Sequence, residues 1–467
     1  MPAVSGLLLS GVAIRLTVLA GDAGSGRWRL AGSLVFAWAA FALGVWGVRQ
    51  LTERTAMALI IGGGIALQAI ALTSPPRLTD DFFRYAWDGR VQAAGISPYR
   101  FTPTDDALAD LRTPWLFPTE CADREPVCTR LNHPTSPTIY PPVAQAEFTA
   151  VHLLTRPLGP DGGRERTWQL LAATLATATT LALVRLLRRR GDPRQAVLWA
   201  WCPTVVLETG GNAHVDGLAS LLVVLALTAV TDGRRVRAGV LIGLAISTKL
   251  LPVLLLVPLA ATRSPEPGTR PRAILWRRLR APGTVVFVAL TTLAATYLPH
   301  LVTVGTRVLG FLPGYLPEEG FDGRTRFPLL HPVFPGPSSV VVGVLALVAI
   351  AGWVLVRSTP DRPWAGAMTL VGLAFALVGI SYPWYALLLV PLVALDGRAR
   401  WLALAAAAYP AYLAPSLGWS VSVTAAITYG LALAWLVWRS AAIRRSGAAR
   451  CPRLAPWRRR RASGCSP

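Results

Sequence analysis

Charge is scarce in this chain, and negative charge is scarcest. Only 15% of the 467 residues are charged, against roughly 25% in an ordinary soluble domain. Twenty-four acids face 46 basic side chains, and lysine occurs once, at position 249. The five cysteines show no zinc-ligand spacing, which excludes a structural zinc module. No glycine-rich loop of the P-loop or dinucleotide-binding kind occurs, so nothing is built to cradle a nucleotide phosphate. No internal repeat and no long polar block are visible, which argues against a solenoid and against a separate soluble domain.

What the chain has is apolar sequence. Hydrophobic residues make up 53% of it, and apolar runs recur from end to end. This predicts an all-α, polytopic membrane protein of about 12–14 membrane segments. Runs near 4–20, 30–48, 56–73, 167–187, 195–209, 216–231, 283–300, 338–356, 364–380, 384–396, 401–417 and 420–438 supply most of them. Segment 143–158 is short and interrupted and is expected to lie at the interface. Residues 238–262 are too short for two spans yet carry basic residues at both ends. A broken or re-entrant pair of helices, bent near Lys249 and Pro252, fits that stretch.

The formal charge of +22 would suit a nucleic-acid partner, but its distribution does not. Arginines cluster in short connections, at 185–194, 234–237 and 272–280, and most densely from Arg439 to Arg461. That is the positive-inside pattern of a multi-pass plasma-membrane protein, with added attraction to anionic lipid. The expected organisation is an integral membrane domain over 1–438 and a basic, disordered cytoplasmic tail over 439–467. Loops 74–142 and 301–337 fall outside. The first of these carries nine acids against seven arginines. Cys121 and Cys128 lie in it; an oxidising compartment would permit a disulfide between them, and two free thiols fit the spacing equally well.

Chemistry concentrates at the edges of the apolar runs. Asp80 and Asp81 are followed at once by Phe82, Phe83, Arg84, Tyr85, Trp87, Asp88 and Arg90. Carboxylates beside a bilayer are costly unless paired or used. Adjacent helical residues point about 100° apart, so one carboxylate can act as a general base while the other pairs elsewhere. Arg84 lies one turn beyond Asp80, in reach of an i, i+4 pair; simple capping by Thr79 or Asp80 is the plainer account. Asn132, His133 and Tyr140 lie at the far end of the same loop, among prolines that fix an extended backbone. Gly210-Gly211-Asn212-Ala213-His214-Val215-Asp216 marks a turn between two helices on the same face as Asp80. Lys249, alone in an apolar run, needs a partner: a phosphate, or an internal acid such as Asp216. Trp384 and Tyr385 follow Pro383 at another boundary, as membrane anchors or as a stacking platform for a sugar or prenyl chain.

The run Asp80 to Val91, followed by Gly95 and Pro98-Tyr99, resembles the first-loop signature of bacterial GT-C glycosyltransferases. It is most similar to the polyprenol-phosphate-mannose-dependent mannosyltransferases and the related glycosyltransferase family 87. Thr138 to Pro142, Asn212 to Asp216, Lys249 to Pro252 and Pro383 to Tyr385 occur in similar order there, so the resemblance extends over residues 50–400. It implies a GT-C-like bundle with a large catalytic first loop. It also implies an inverting transfer in which a loop acid is the base, and Asp80 and Asp81 both remain eligible, with Asp81 favoured because the aromatic run follows it. Arg84, Tyr85, Asp88, Arg90, Tyr140, His214, Asp216, Lys249, Trp384 and Tyr385 are then expected around a polyprenyl-phosphate-linked sugar and a glycan or glycolipid acceptor. Mannose is the family-level expectation for the sugar. No cofactor is demanded, and the use of a divalent cation stays open. A transporter or flippase of lipid-linked sugars is the alternative; it would use the same charged groups as a pathway, but the acids gather at one face and no paired repeat is present.

Overall fold

A computed structural model describes residues 1–20, 26–120, 127–261, 268–322 and 326–450, with side chains up to 442. The described residues are helical and contain no strand. Three helices open the chain: α1 (Pro2–Leu19), α2 (Arg27–Val48) and α3 (Glu53–Ala71). Small residues let α1 and α2 approach closely: a Cβ on Gly6 would lie 2.4 Å from the Gly44 Cα. In lipid, where no hydrophobic force drives helices together, such backbone contact is what packs them.

Loop 74–142 is not a passive connection. It contains α4 (Asp81–Ala93), which packs against α5 (Pro142–Thr155). Gly89 makes that approach possible, because a Cβ there would sit 2.3 Å from the Phe148 carbonyl oxygen. Phe82, Tyr85, Trp87, Leu108, Trp115, Leu116, Tyr140, Phe148 and Trp168 form a hydrophobic core of its own, separate from that of the membrane bundle. That core takes in Trp168 of the Arg164–Arg190 helix and also Val215, so the loop is packed onto the bundle. α5 has 14 residues, one buried face, and Leu153 and Leu154 exposed.

The rest of the bundle comprises α6 (Arg164–Arg190), α7 (Asp216–Thr231), α8 (Arg235–Ile246), a short α9 (Pro271–Arg280), α10 (Gly283–Val304), α11 (Leu312–Glu318), α12 (Pro337–Arg357), α13 (Pro363–Val378), α14 (Leu389–Asp396), α15 (Leu402–Leu413) and α16 (Val421–Arg450). Seven described helices are long and apolar enough to cross a membrane, and Asp216–Thr231, Pro363–Val378 and Pro383–Asp396 are shorter apolar helices. The remaining apolar runs are broken. Pro203 and a π-turn at Leu207–Gly211 interrupt one, and Pro252 with a 3-10 turn at Leu251–Leu255 interrupts another. The bend expected near Lys249 and Pro252 is there. α16 continues to Arg450, past the expected start of the tail at 439; alanine and arginine are good helix formers and no proline intervenes. Residues 451–467 lie outside the described residues.

Candidate active site

Asp81 is the first residue of α4. Its backbone N–H donates to Thr79 Oγ1 at 3.2 Å, so Thr79 anchors the helix start while Asp80 occupies the N-cap position without a capping side-chain bond. That leaves the Asp81 carboxylate for other contacts. Asn132 Nδ2 donates to its Oδ1 at 2.7 Å, and its Oδ2 lies 3.9 Å from His214 Nε2. Burial pushes the Asp81 carboxyl above its ordinary range; Lys249, Tyr140 and Asn132 pull it back down, and Asp80 adds to the upward push. The result is a half-buried carboxylate, more basic than a surface aspartate.

His214 is fully buried at the turn that enters α7. Two glutamines position that turn. Gln68 on α3 donates to Thr209 and accepts from the Gly210 N–H; Gln169 on α6 donates to the Gly210 and Gly211 carbonyls at 3.0 and 2.9 Å. Ala213 adopts φ 62°, a left-handed conformation held by this web. Glu208, one turn earlier, accepts from Asn212 at 3.0 Å and from Tyr409 at 2.8 Å, and its Oε2 lies 3.5 Å from His214 Nδ1. Trp384 stacks on the imidazole with ring centroids 4.1 Å apart. The imidazole thus lies between two carboxylates, Asp81 and Glu208, with an indole against its face, and neither ring nitrogen has a hydrogen-bond partner among the described residues.

Lys249 sits in the turn after α8. Its Nζ lies 3.2 Å from Asp216 Oδ2 and over two aromatic faces, 5.5 Å from the Tyr140 centroid and 5.1 Å from that of Tyr385. The side chain keeps 16% of its surface exposed. The internal acid considered for it is therefore in contact. Tyr385 Oη lies 2.8 Å from Tyr315 Oη on α11, which brings loop 301–337 over the site. Phe311 N–H donates to the Thr138 carbonyl at 3.2 Å, and Tyr382 donates to Glu319 at 2.7 Å, itself paired with Arg326.

Other expected site residues sit apart from this cluster. Arg84 does not pair with Asp80. Its Nε donates to Asp88 at 2.9 Å, and its two terminal nitrogens donate to the carbonyls of His133 and Ser136. Both i±4 acids are equally close in sequence; Asp88 is buried and Asp80 is not, and a buried carboxylate has the greater need of a cation. Asp88 also accepts from Gln145 at 2.9 Å, so Arg84 and Asp88 together tie α4, the 133–138 segment and α5 into one unit. Arg90 points elsewhere, to the Leu111 and Pro160 carbonyls and to Asp161. Tyr85 is buried against Phe148, with centroids 4.5 Å apart, and edge-on to Tyr140 and Trp168. Arg84, Asp88 and Arg90 brace the loop that carries Asp81, whereas Tyr85 borders the site through Tyr140.

Glu208, Gln68, Gln169 and Tyr315 escaped the reading of the sequence. Glu208 and the two glutamines had a usable signal, being polar residues inside apolar runs; Tyr315 had none. Cys128 is disulfide-bonded; Cys121, the partner weighed for it against a pair of free thiols, lies outside the described residues. Among the described residues no three His, Cys, Asp or Glu side chains converge as a metal site.

A broad apolar groove of about 360 Å³ runs along α10, lined by Phe287, Val288, Thr291, Thr292, Ala295 and Thr296. Thr296 at its end shares a 2.7 Å hydrogen bond with Ser247, two residues from Lys249. No curated protein and no solved structure matched the chain. The family model of glycosyltransferase family 87 matches residues 138–381, beginning downstream of the Asp80–Arg90 motif and taking in Tyr140, the His214 turn, Lys249 and the α10 groove. That match covers a little over half of the chain and agrees with the helical, membrane-spanning fold, so the chain belongs to glycosyltransferase family 87.

Proposed function

We propose that this glycosyltransferase moves a sugar, mannose in the first instance, from a polyprenyl-phosphate donor to a glycan or glycolipid acceptor at the extracytoplasmic face of the plasma membrane. The observation that carries this reading is the junction of Asp81, His214 and Lys249 beside an apolar groove. A prenyl chain fits the apolar groove along α10, whose upper end meets Ser247 beside the Lys249 turn. Its phosphate would then come within reach of the one lysine of the protein, which binds phosphate as a point charge.

In this scheme the acceptor hydroxyl gives its proton to Asp81 as its oxygen attacks the anomeric carbon. The bond from that carbon to the lipid-phosphate oxygen breaks, and its electron pair leaves on the phosphate. Attack from the face opposite the leaving group inverts the anomeric centre. Asp81 is basic enough to take the proton because burial raises its pKa. Lys249 offsets the charge that develops on the departing phosphate. Asn132 orients Asp81 through its hydrogen bond, and His214, stacked on Trp384, has an unpartnered Nε2 3.9 Å from the carboxylate, open to a substrate hydroxyl. The aromatic faces of Trp384, Tyr382 and Tyr412 gather nearby, with centroids 4.8 and 5.6 Å from Trp384, and offer a stacking surface for a sugar ring.

The test is purified enzyme in lipid with a polyprenyl-phosphate mannose donor and an acceptor pool from the same membrane. Release of polyprenyl phosphate that disappears in Asp81→Asn supports the reading. Passage of the intact donor across the bilayer, with no release, would instead support the flippase.

A further inference from the structure

A second concave site lies at the other end of the bundle. It is a crevice of about 620 Å³ lined by Trp353, Arg357, Ser358, Arg362, Asp396 and Arg398 together with smaller residues of α12 and α13. α13 runs between the two sites: its first turn lines the crevice, and its last leads into Ser381–Tyr385. Sixteen residues at 1.5 Å each separate those ends by roughly 24 Å. The crevice therefore cannot share a ligand headgroup with Asp81 and Lys249.

Its chemistry is cationic. Arg362 and Arg398 both address one carboxylate, Asp396, whose side chain is 2% exposed. Arg357 is exposed at the rim. Three guanidiniums against one lining acid leave an excess of positive charge, and Asp361 on the adjoining turn is not among the lining residues. A guanidinium is the side chain best suited to a phosphate, since its N–H fork matches two phosphate oxygens.

The depth of the crevice is marked independently. α9 is a short basic helix whose Arg278 is buried and donates to the Leu355 and Ser358 carbonyls, clamping α9 against the crevice wall. This clamp leaves Trp276 and Leu279 exposed, with Arg280 over the Trp276 ring at 5.5 Å. Trp353, in the crevice itself, is also exposed. Exposed tryptophans among arginines are the signature of the headgroup layer. The site thus combines phosphate-binding donors with an apolar, tryptophan-bearing flank.

We infer that this crevice binds the phosphate of an anionic membrane phospholipid, held by Arg357, Arg362 and Arg398 with its acyl chains along α12 and Trp276. The site is independent of sugar transfer, so its test reads binding. The full-length protein is purified with phosphatidylglycerol and phosphatidylcholine present in equal amounts, and the lipids retained are counted by native mass spectrometry. Wild type is expected to retain phosphatidylglycerol preferentially. Arg357→Gln lowers that preference about fivefold, and Arg357→Gln/Arg362→Gln lowers it further. Arg398 still neutralises Asp396 in the double variant, so folding is preserved; unchanged circular dichroism and elution volume check this. Arg235→Gln, an exposed arginine outside the crevice, leaves the preference intact. Equal retention by wild type and the double variant overturns the inference, and so does displacement of the lipid by inorganic phosphate at the lipid's own concentration.

Discussion

Replacing Asp81 by asparagine changes one charge and almost no volume. Asn132 already donates to Oδ1 at 2.7 Å, and the asparagine side chain keeps an acceptor there. The lost charge had been disfavoured by burial and by Asp80, and favoured by Lys249. These terms oppose one another, so folding stability should change by no more than about 1 kcal/mol, the scale of one hydrogen bond. Catalysis is different. A positioned general base contributes about 10²- to 10⁴-fold, or about 3–5 kcal/mol of barrier. Asp81→Asn is therefore expected to fold with wild-type yield and melting behaviour while polyprenyl-phosphate release falls by at least about a hundredfold.

The matching variant Asp80→Asn should keep most of its activity, because Asp80 stands at the N-cap of α4 and Asp81 is the carboxylate that meets Asn132 and His214. The assay is single-turnover release of polyprenyl phosphate from a radiolabelled donor, which isolates the chemical step from product escape. Asp81→Asn within about tenfold of wild type would refute the assignment of the base, since a loss that small lies below the range for proton transfer. Collapse in Asp80→Asn with Asp81→Asn intact would move the base one residue back.

The remaining expectations concern the groups around that base. The Asp81 carboxyl must be ionised to accept a proton and its pKa is raised above 3.8, so kcat/KM should climb with pH along an acid limb lying above that value, and the limb should vanish in Asp81→Asn. Lys249→Met leaves Asp216 without its cation and should cost about 3–5 kcal/mol in a thermal or denaturant melt; adding Asp216→Asn should restore much of the stability and none of the transfer. Arg84→Lys cannot reach a carboxylate and two carbonyls with one ammonium, so limited proteolysis within 94–136 should quicken as much as in Arg84→Gln. Gly89→Ala drives a methyl group into the Phe148 carbonyl, and should lower the yield of folded protein at every temperature tried.

Sequence and structure agree best where a residue is costly out of place. A single lysine in an apolar run and an acid pair at a membrane edge are improbable unless something holds them, so their importance could be read without knowing their neighbours. Their neighbours could not. Nothing local says that Arg84 prefers Asp88 to Asp80; burial decides, and burial is a property of the assembled loop. The number of full spans was obscured for a similar reason, because Pro203, Pro252 and Pro383 break apolar runs into fragments whose composition still reads as one helix. Contacts across long stretches of chain left no trace at all. Phe311 meeting Thr138, and Tyr315 meeting Tyr385, bring the second loop down over the first. Those contacts matter chemically, because a lysine at 16% exposure between two tyrosines is drier than one at an open membrane edge. A drier ammonium interacts more strongly with any phosphate beside it. The part of the molecule that the sequence concealed is therefore the part that sets how strongly the visible charges act.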